Sequence, residues 1–130
     1  MSDTPVQPEH RIEVRARTQY LPEQSDIVQG RYVFAYTITI RNTGDTTAQL
    51  LSRHWIITDA LGHEEQVRGP GVVGKQPHIA PGEAAEYSSF CPLETPHGAM
   101  RGSYRMVRPD GSHFDAEIAP FALMLPGSLN

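Results

Sequence analysis

The chain has 130 residues, 38% of them hydrophobic and 20% charged, with a formal net charge of −4. That length supports one domain with a real core, and that charge argues against a nucleic-acid binder, which carries a clustered basic face. The lone Cys91 rules out an internal disulfide and a cysteine-rich zinc site; with no apolar leader at the N-terminus and no apolar run of membrane length, no membrane insertion is expected and the expected compartment is the reducing cytoplasm.

Eleven glycines and eleven prolines call for many turns, hence many short elements. Residues 1–9 are polar with two prolines and are expected to form a loose tail. Residues 10–126 are expected to form the domain, and 127–130 a closing tail. From Arg11 the pattern alternates: Ile12, Val14, Ala16 and Thr18 share one side, Glu13, Arg15, Arg17 and Gln19 the other. A period of two is that of a half-buried strand. Arg31 to Arg41 is the clearest strand, with Tyr32, Phe34, Tyr36, Ile38 and Ile40 on one face. Asn42-Thr43-Gly44-Asp45 reads as a turn.

Gln49 to Thr58 is a third strand that places Leu51, Trp55 and Ile57 on one face with Arg53 among them. After a turn at Asp59-Ala60-Leu61-Gly62, the polar run His63 to Arg68 reads as its hairpin partner. Ala84 to Cys91 is strand-like, with Tyr87, Ser89 and Cys91 opposed to Glu86, Ser88 and Phe90; Pro92 to Gly98 reads as loop. Ala99 to Arg108 returns to strand, with Met100, Tyr104 and Met106 on one face. Asp110-Gly111 is the strongest hairpin signal. The returning strand turns Phe114, Ala116 and Ile118 inward, is kinked at Pro120, and continues with Phe121, Leu123 and Leu125. No window has helical periodicity. The expected fold is all-β: a two-sheet antiparallel sandwich of seven to eight strands, like fibronectin type III and immunoglobulin domains. Trp55 falls where such sandwiches bury a tryptophan, and Tyr104 is a candidate tyrosine-corner residue.

Between the two blocks of strands lies Val67 to Glu83, VRGPGVVGKQPHIAPGE. Gly69-Pro70-Gly71-Val72-Val73-Gly74 spells G-x-G-x-x-G. In a dinucleotide fold these glycines lead into a helix whose N-terminus meets the pyrophosphate. Here Pro77 and Pro81 break any such helix, and no βαβ unit surrounds the motif. The Walker pattern fails as well, since no Lys-Ser or Lys-Thr follows Gly74. No cofactor is expected. Two readings remain. Gly69, Gly71 and Gly74 let the backbone cross between the sheets, with Val72, Val73 and Ile79 anchoring the loop on the core. Alternatively, the amides of Gly69, Gly71 and Gly74 form an anion nest beside Lys75, for a small anion or phosphate.

Leu50 to Gly62, LLSRHWIITDALG, followed by Val67 to Glu83 and then by Tyr87 to Met106, YSSFCPLETPHGAMRGSYRM, resembles the bacterial ApaG family. The likeness covers nearly all of the chain after the N-terminal tail. It implies a fibronectin type III-like sandwich and supplies no catalytic residue. It further implies protein–protein interaction, the role of related domains in certain F-box proteins and in a polymerase-delta-interacting protein. An association with divalent-cation homeostasis, notably cobalt and magnesium, is implied as well.

The remaining residues carry little chemistry. His10, His54, His63, His78, His97 and His113 form no paired metal motif, so no metal site is expected. Cys91 reads as a small buried hydrophobe, and Ser88, Ser89 and Ser103 lack a nucleophile-elbow context. Arg53 is expected at the sheet edge or snorkelling. Arg101 and Arg105 share a face that Arg108 does not. The expectation is therefore a non-enzymatic interaction module with a protein partner. Anion, phosphate or nucleotide-type ligand binding at Gly69, Gly71, Gly74 and Lys75 is the alternative, followed by a part in cobalt and magnesium handling.

Overall fold

A computed structural model describes residues 11–127; the expected tail at 1–9, all but Gly127 of the expected tail at 127–130, and His10 lie outside them. Eight strands follow in order: β1 (Ile12–Tyr20), β2 (Tyr32–Asn42), β3 (Ala48–Asp59), β4 (Glu64–Pro70), β5 (His78–Ile79), β6 (Ala84–Leu93), β7 (His97–Val107) and β8 (His113–Met124). One 3-10 turn, Pro22–Gln24, sits between β1 and β2. The strands form two antiparallel sheets, β1-β2-β6 and β4-β3-β7-β8, with β5 paired to the start of β3. This is the expected sandwich.

Alternation decides which side chains meet between the sheets. On β2, Phe34, Tyr36, Ile38 and Ile40 are buried, and each such side chain contributes about 1.5–3 kcal/mol relative to exposure. Facing them are Leu50, Trp55, Met100, Tyr104 and Met106. Trp55, 2% exposed, meets Tyr36 at 5.5 Å, Phe121 at 5.8 Å and Tyr104 at 6.3 Å between ring centroids, all edge to face. That is the geometry the ring quadrupole favours.

Two bulges reset the alternation. The β3–β7 register slips between Leu50 and Ser52, so Leu50 enters the core while Leu51, expected there, is only half-buried. A second slip sets Met100 opposite Phe121 but Gly102 opposite Ile118, leaving Ala119 and Pro120 against Arg101. The proline does not end β8, because a bulge on an edge strand loses no ladder bond there.

Three further expectations change. β6 runs through Pro92 to Leu93, and the loop before β7 is only Glu94, Thr95 and Pro96. Tyr104 is no tyrosine corner: its hydroxyl meets that of Tyr87 at 2.6 Å, not the backbone. The glycine stretch does not cross between sheets either. Gly69 and Pro70 belong to β4, and β4 and β5 both pair with β3. The crossing is made by Ala80 to Glu83, into β6. Buried Asn42 fixes that corner. Its Nδ2 donates to the carbonyls of Thr46 (2.8 Å) and Ile79 (2.9 Å), and its Oδ1 accepts from the Gly44 amide at 2.9 Å. Among the described residues no helix is long and apolar enough to cross a membrane.

Candidate functional site

The glycine loop is a tight hairpin tip held from below by Arg53. The Val72 amide donates to the Lys75 carbonyl at 2.8 Å and the Lys75 amide returns to Val72 at 3.0 Å. Val73 and Gly74 stand between them with φ of 47° and 77°. Two successive positive values are those of a type I′ turn, which favours Asn-Gly. Val73 is therefore in a conformation that β-branched residues avoid, and it is 63% exposed. Val72 and Ile79 are buried and anchor the loop as expected; Val73 does not.

Arg53 lies on the inward face of β3, opposite Tyr104 and Gly69. Its Nη1 donates to the carbonyls of Pro70 (3.0 Å) and Gly71 (2.9 Å). Among the described residues it pairs with no carboxylate, and instead of snorkelling it clamps the base of the loop. At Gly71, with φ of 60°, a Cβ would collide with the Lys75 carbonyl oxygen. Of the four candidate anion ligands, Gly69 lies inside β4 over Arg53. The Gly71 amide donates to the Leu51 carbonyl at 2.8 Å, and the Lys75 amide is committed within the turn. Gly74 stays at the exposed tip, and no ion pair engages Lys75 among the described residues.

Beside the loop runs the edge of β6. Residues Val72, Val73, Lys75 and Pro77 on one side, and Ala85 to Ser88 on the other, line a groove of about 400 Å³. β6 pairs with β2 on one side and with no strand among the described residues on the other. The polarity of that edge follows from bonds at the ends of β2. The Val33 carbonyl accepts from the Leu21 amide at 2.9 Å, beyond β1, and Asn42 exchanges bonds with Gly82 and Glu83 at the foot of β6. Backbone groups alternate sides along a strand, so Phe34, Tyr36, Ile38 and Ile40 face β6 and pair with Cys91, Ser89, Tyr87 and Ala85. The amides and carbonyls of Glu86, Ser88 and Phe90 therefore point to the free edge. Pro92 falls in the same series, where a missing N–H breaks no bond. Phe90, 64% exposed, stands on the outer face of this edge.

A second, smaller cleft of about 180 Å³ lies where the other end of β6 passes β4, lined by Asp59, His63, Glu64, Glu65 and Glu94 with Ile57, Pro92 and Leu93; His63 Nδ1 is taken up by Asp59 Oδ2 at 3.2 Å. Asp59 accepts from the Leu61 and His63 amides, both at 2.9 Å, and Glu64 lies 3.7 Å from Arg101. Glu65 and Glu94 have no ion-pair partner among the described residues. Among those residues no three of His, Cys, Asp or Glu converge as metal ligands. Arg105 pairs with Asp115 at 3.2 Å and Arg108 stacks on Phe114 at 5.4 Å, so the arginines of β7 and its turn are engaged. Burial pushes the Cys91 thiol up to about 11, leaving it protonated and unreactive near neutrality.

The fold has counterparts. Residues 22–108 match the ApaG domain family model. The chain belongs to the ApaG family. Protein ApaG of Anaeromyxobacter dehalogenans strain 2CP-C is 60% identical over 119 residues, which is 92% of this chain and 94% of that one. Protein ApaG of Dechloromonas aromatica is 54% identical over 130 residues, the whole of both chains. A Bordetella pertussis protein solved by crystallography under the name ApaA superposes with a TM-score of 0.90 at 52% identity, covering 95% of this chain and all of that one. The ApaG match spans Arg53, the glycine loop and all of β6; β1 and β8 lie beyond its limits. Sequence reasoning found the loop, and an interaction module implies a free, flat edge near it, but it did not place that edge on β6 and missed Arg53's clamp. Pro92 was the available signal for the edge, since proline inside a strand implies an unpaired side.

Proposed function

We propose that this ApaG chain is a non-enzymatic interaction module that docks a partner protein along the free edge of β6, beside the glycine loop. The observation that carries this is Val73. A valine at φ 47° and largely exposed is unfavourable for the isolated fold on both counts, at a turn where asparagine or glycine sits without strain. It overhangs a strand edge with unused amides and carbonyls, which is a template for an added strand. Among the described residues no nucleophile–base pair accompanies it: Cys91 is held as a thiol. Any part in cation homeostasis would act through such a partner. The alternative, a small anion or phosphate at the loop, draws on the unpaired Lys75 and the exposed Gly74.

The test is photocrosslinking with a benzophenone amino acid placed at Val73 and, as control, at exposed His113 on β8. A protein adduct from position 73 that is absent from 113 and lost on Phe90→Lys supports the edge. Equal adducts from both positions, or none from 73, would reject it. Amide shifts at Gly74 and Lys75 on adding inorganic phosphate, with no crosslink, would favour the anion reading.

A further inference from the structure

We infer that the segment received by β6 is an extended peptide carrying a basic residue at one end and an apolar residue about six positions away. This rests on the edge reading above and specifies its ligand. The wider groove borders Ala85 to Ser88, while the acidic cleft borders Pro92 to Glu94. Both open on one seam between β6 and the loop–β4 side of the other sheet. Their centres, near Tyr87 and Leu93, are separated by about 20 Å at a strand rise of roughly 3.3 Å per residue. Six residues of an added strand span that distance, so side chains six apart fall on the same face and reach both recesses.

Each recess selects a different chemistry. The wall of Val72, Val73, Pro77 and Tyr87 is largely apolar. The cleft at the far end carries Glu65 and Glu94, both without a cationic partner among the described residues. Two unneutralised carboxylates beside a strand edge attract a lysine or arginine and repel an acidic residue, which fixes register more than it adds affinity. Between the two recesses, exposed Phe90 offers a cross-strand contact to an apolar or β-branched residue of the incoming strand. The edge amides of Ser88 and Phe90 supply the ladder.

The experiment uses the full chain, isotope-labelled, and two synthetic peptides. Both alternate threonine and valine and place leucine six residues from a terminal lysine in one peptide and a terminal glutamate in the other. Binding is read by fluorescence anisotropy and amide shifts up to about 1 mM peptide, the weak end of useful affinity. The lysine peptide should bind at least about tenfold more tightly than the glutamate peptide, with the largest shifts at Glu86, Ser88 and Phe90. The charge-reversed pair, Glu65→Lys with Glu94→Lys, should invert that preference. Ser88→Pro removes an edge donor and should abolish both; Phe90→Thr is the milder variant should Ser88→Pro not fold. Equal binding of both peptides with edge shifts would overturn the basic-end assignment and leave the edge reading standing. Binding with shifts elsewhere, or no binding by either peptide together with no crosslink from position 73, would overturn both.

Discussion

The guanidinium of Arg53 occupies the space where a side chain at Gly69 would begin: a Cβ built there would stand 2.8 Å from Nη2. The two residues face each other across the β3–β4 ladder. From that position Arg53 reaches the carbonyls of Pro70 and Gly71. The first glycine of the G-x-G-x-x-G string thus makes room for an arginine of its own chain, not for a pyrophosphate. Gly69→Ala should lower the unfolding free energy by about 1 kcal/mol, because the end of the flexible arginine must shift and strain its bonds to the Pro70 and Gly71 carbonyls. In an Arg53→Ala background the same change should cost less than about half as much, because the clashing group is gone. Urea denaturation of the four proteins measures this; an equal cost in both backgrounds would show that Arg53 is not the reason for the glycine.

Val73→Asn should stabilise the chain. Asparagine tolerates the left-handed conformation of the I′ turn, and relief of strain at such a position amounts to about 1 kcal/mol. Thermal unfolding monitored by circular dichroism checks it. A lower melting temperature would mean that Val73 packs usefully within the isolated fold, removing the argument that it is kept for a partner.

The Tyr87–Tyr104 hydroxyl pair gives a pH dependence. Burial holds both phenols above their ordinary range, which is near pH 10. The unfolded chain therefore ionises these groups first. Their contribution to stability is full below about pH 10 and falls as the pH rises beyond it. Tyr104→Phe leaves the Tyr87 hydroxyl without its 2.6 Å partner and should cost about 1–2 kcal/mol at neutral pH; the double change to phenylalanine should recover much of that. Urea midpoints at neutral pH and near pH 11 test both points. A double variant that loses stability above pH 10 as steeply as the parent would contradict the assignment.

Asn42→Ala should cost about 2–3 kcal/mol, since it leaves the buried Ile79 carbonyl without its donor and frees the Asx turn at Gly44. Hydrogen exchange should then accelerate at Gly82 and Ile79, the corner where the chain changes sheet. Unchanged exchange there would place the corner's stability elsewhere.

Much of this architecture is local and was legible in the residue order. The alternation of Phe34, Tyr36, Ile38 and Ile40 specifies a strand with one buried face, because a period of two leaves no other element able to gather them. Even the β8 bulge is written in the step from Ile118 to Phe121, a three-residue gap around a proline. Pro77 and Pro81 forbid the helix a dinucleotide site requires, so that exclusion needed no coordinates. The third strand misled because its bulge at Leu51 depends on which residues of β7 lie opposite, and nothing local in QLLSRHWIIT marks that slip. Arg53's role was hidden for the same reason: its partners are carbonyls, which every residue possesses and no sequence pattern displays. Whether β6 has one neighbour or two depends on how eight strands divide between two sheets. Sequence periodicity therefore determined the faces of the strands, while the edge, the clamp and the acidic cleft were decided by tertiary pairing, a long-range choice made by the packing of both layers together.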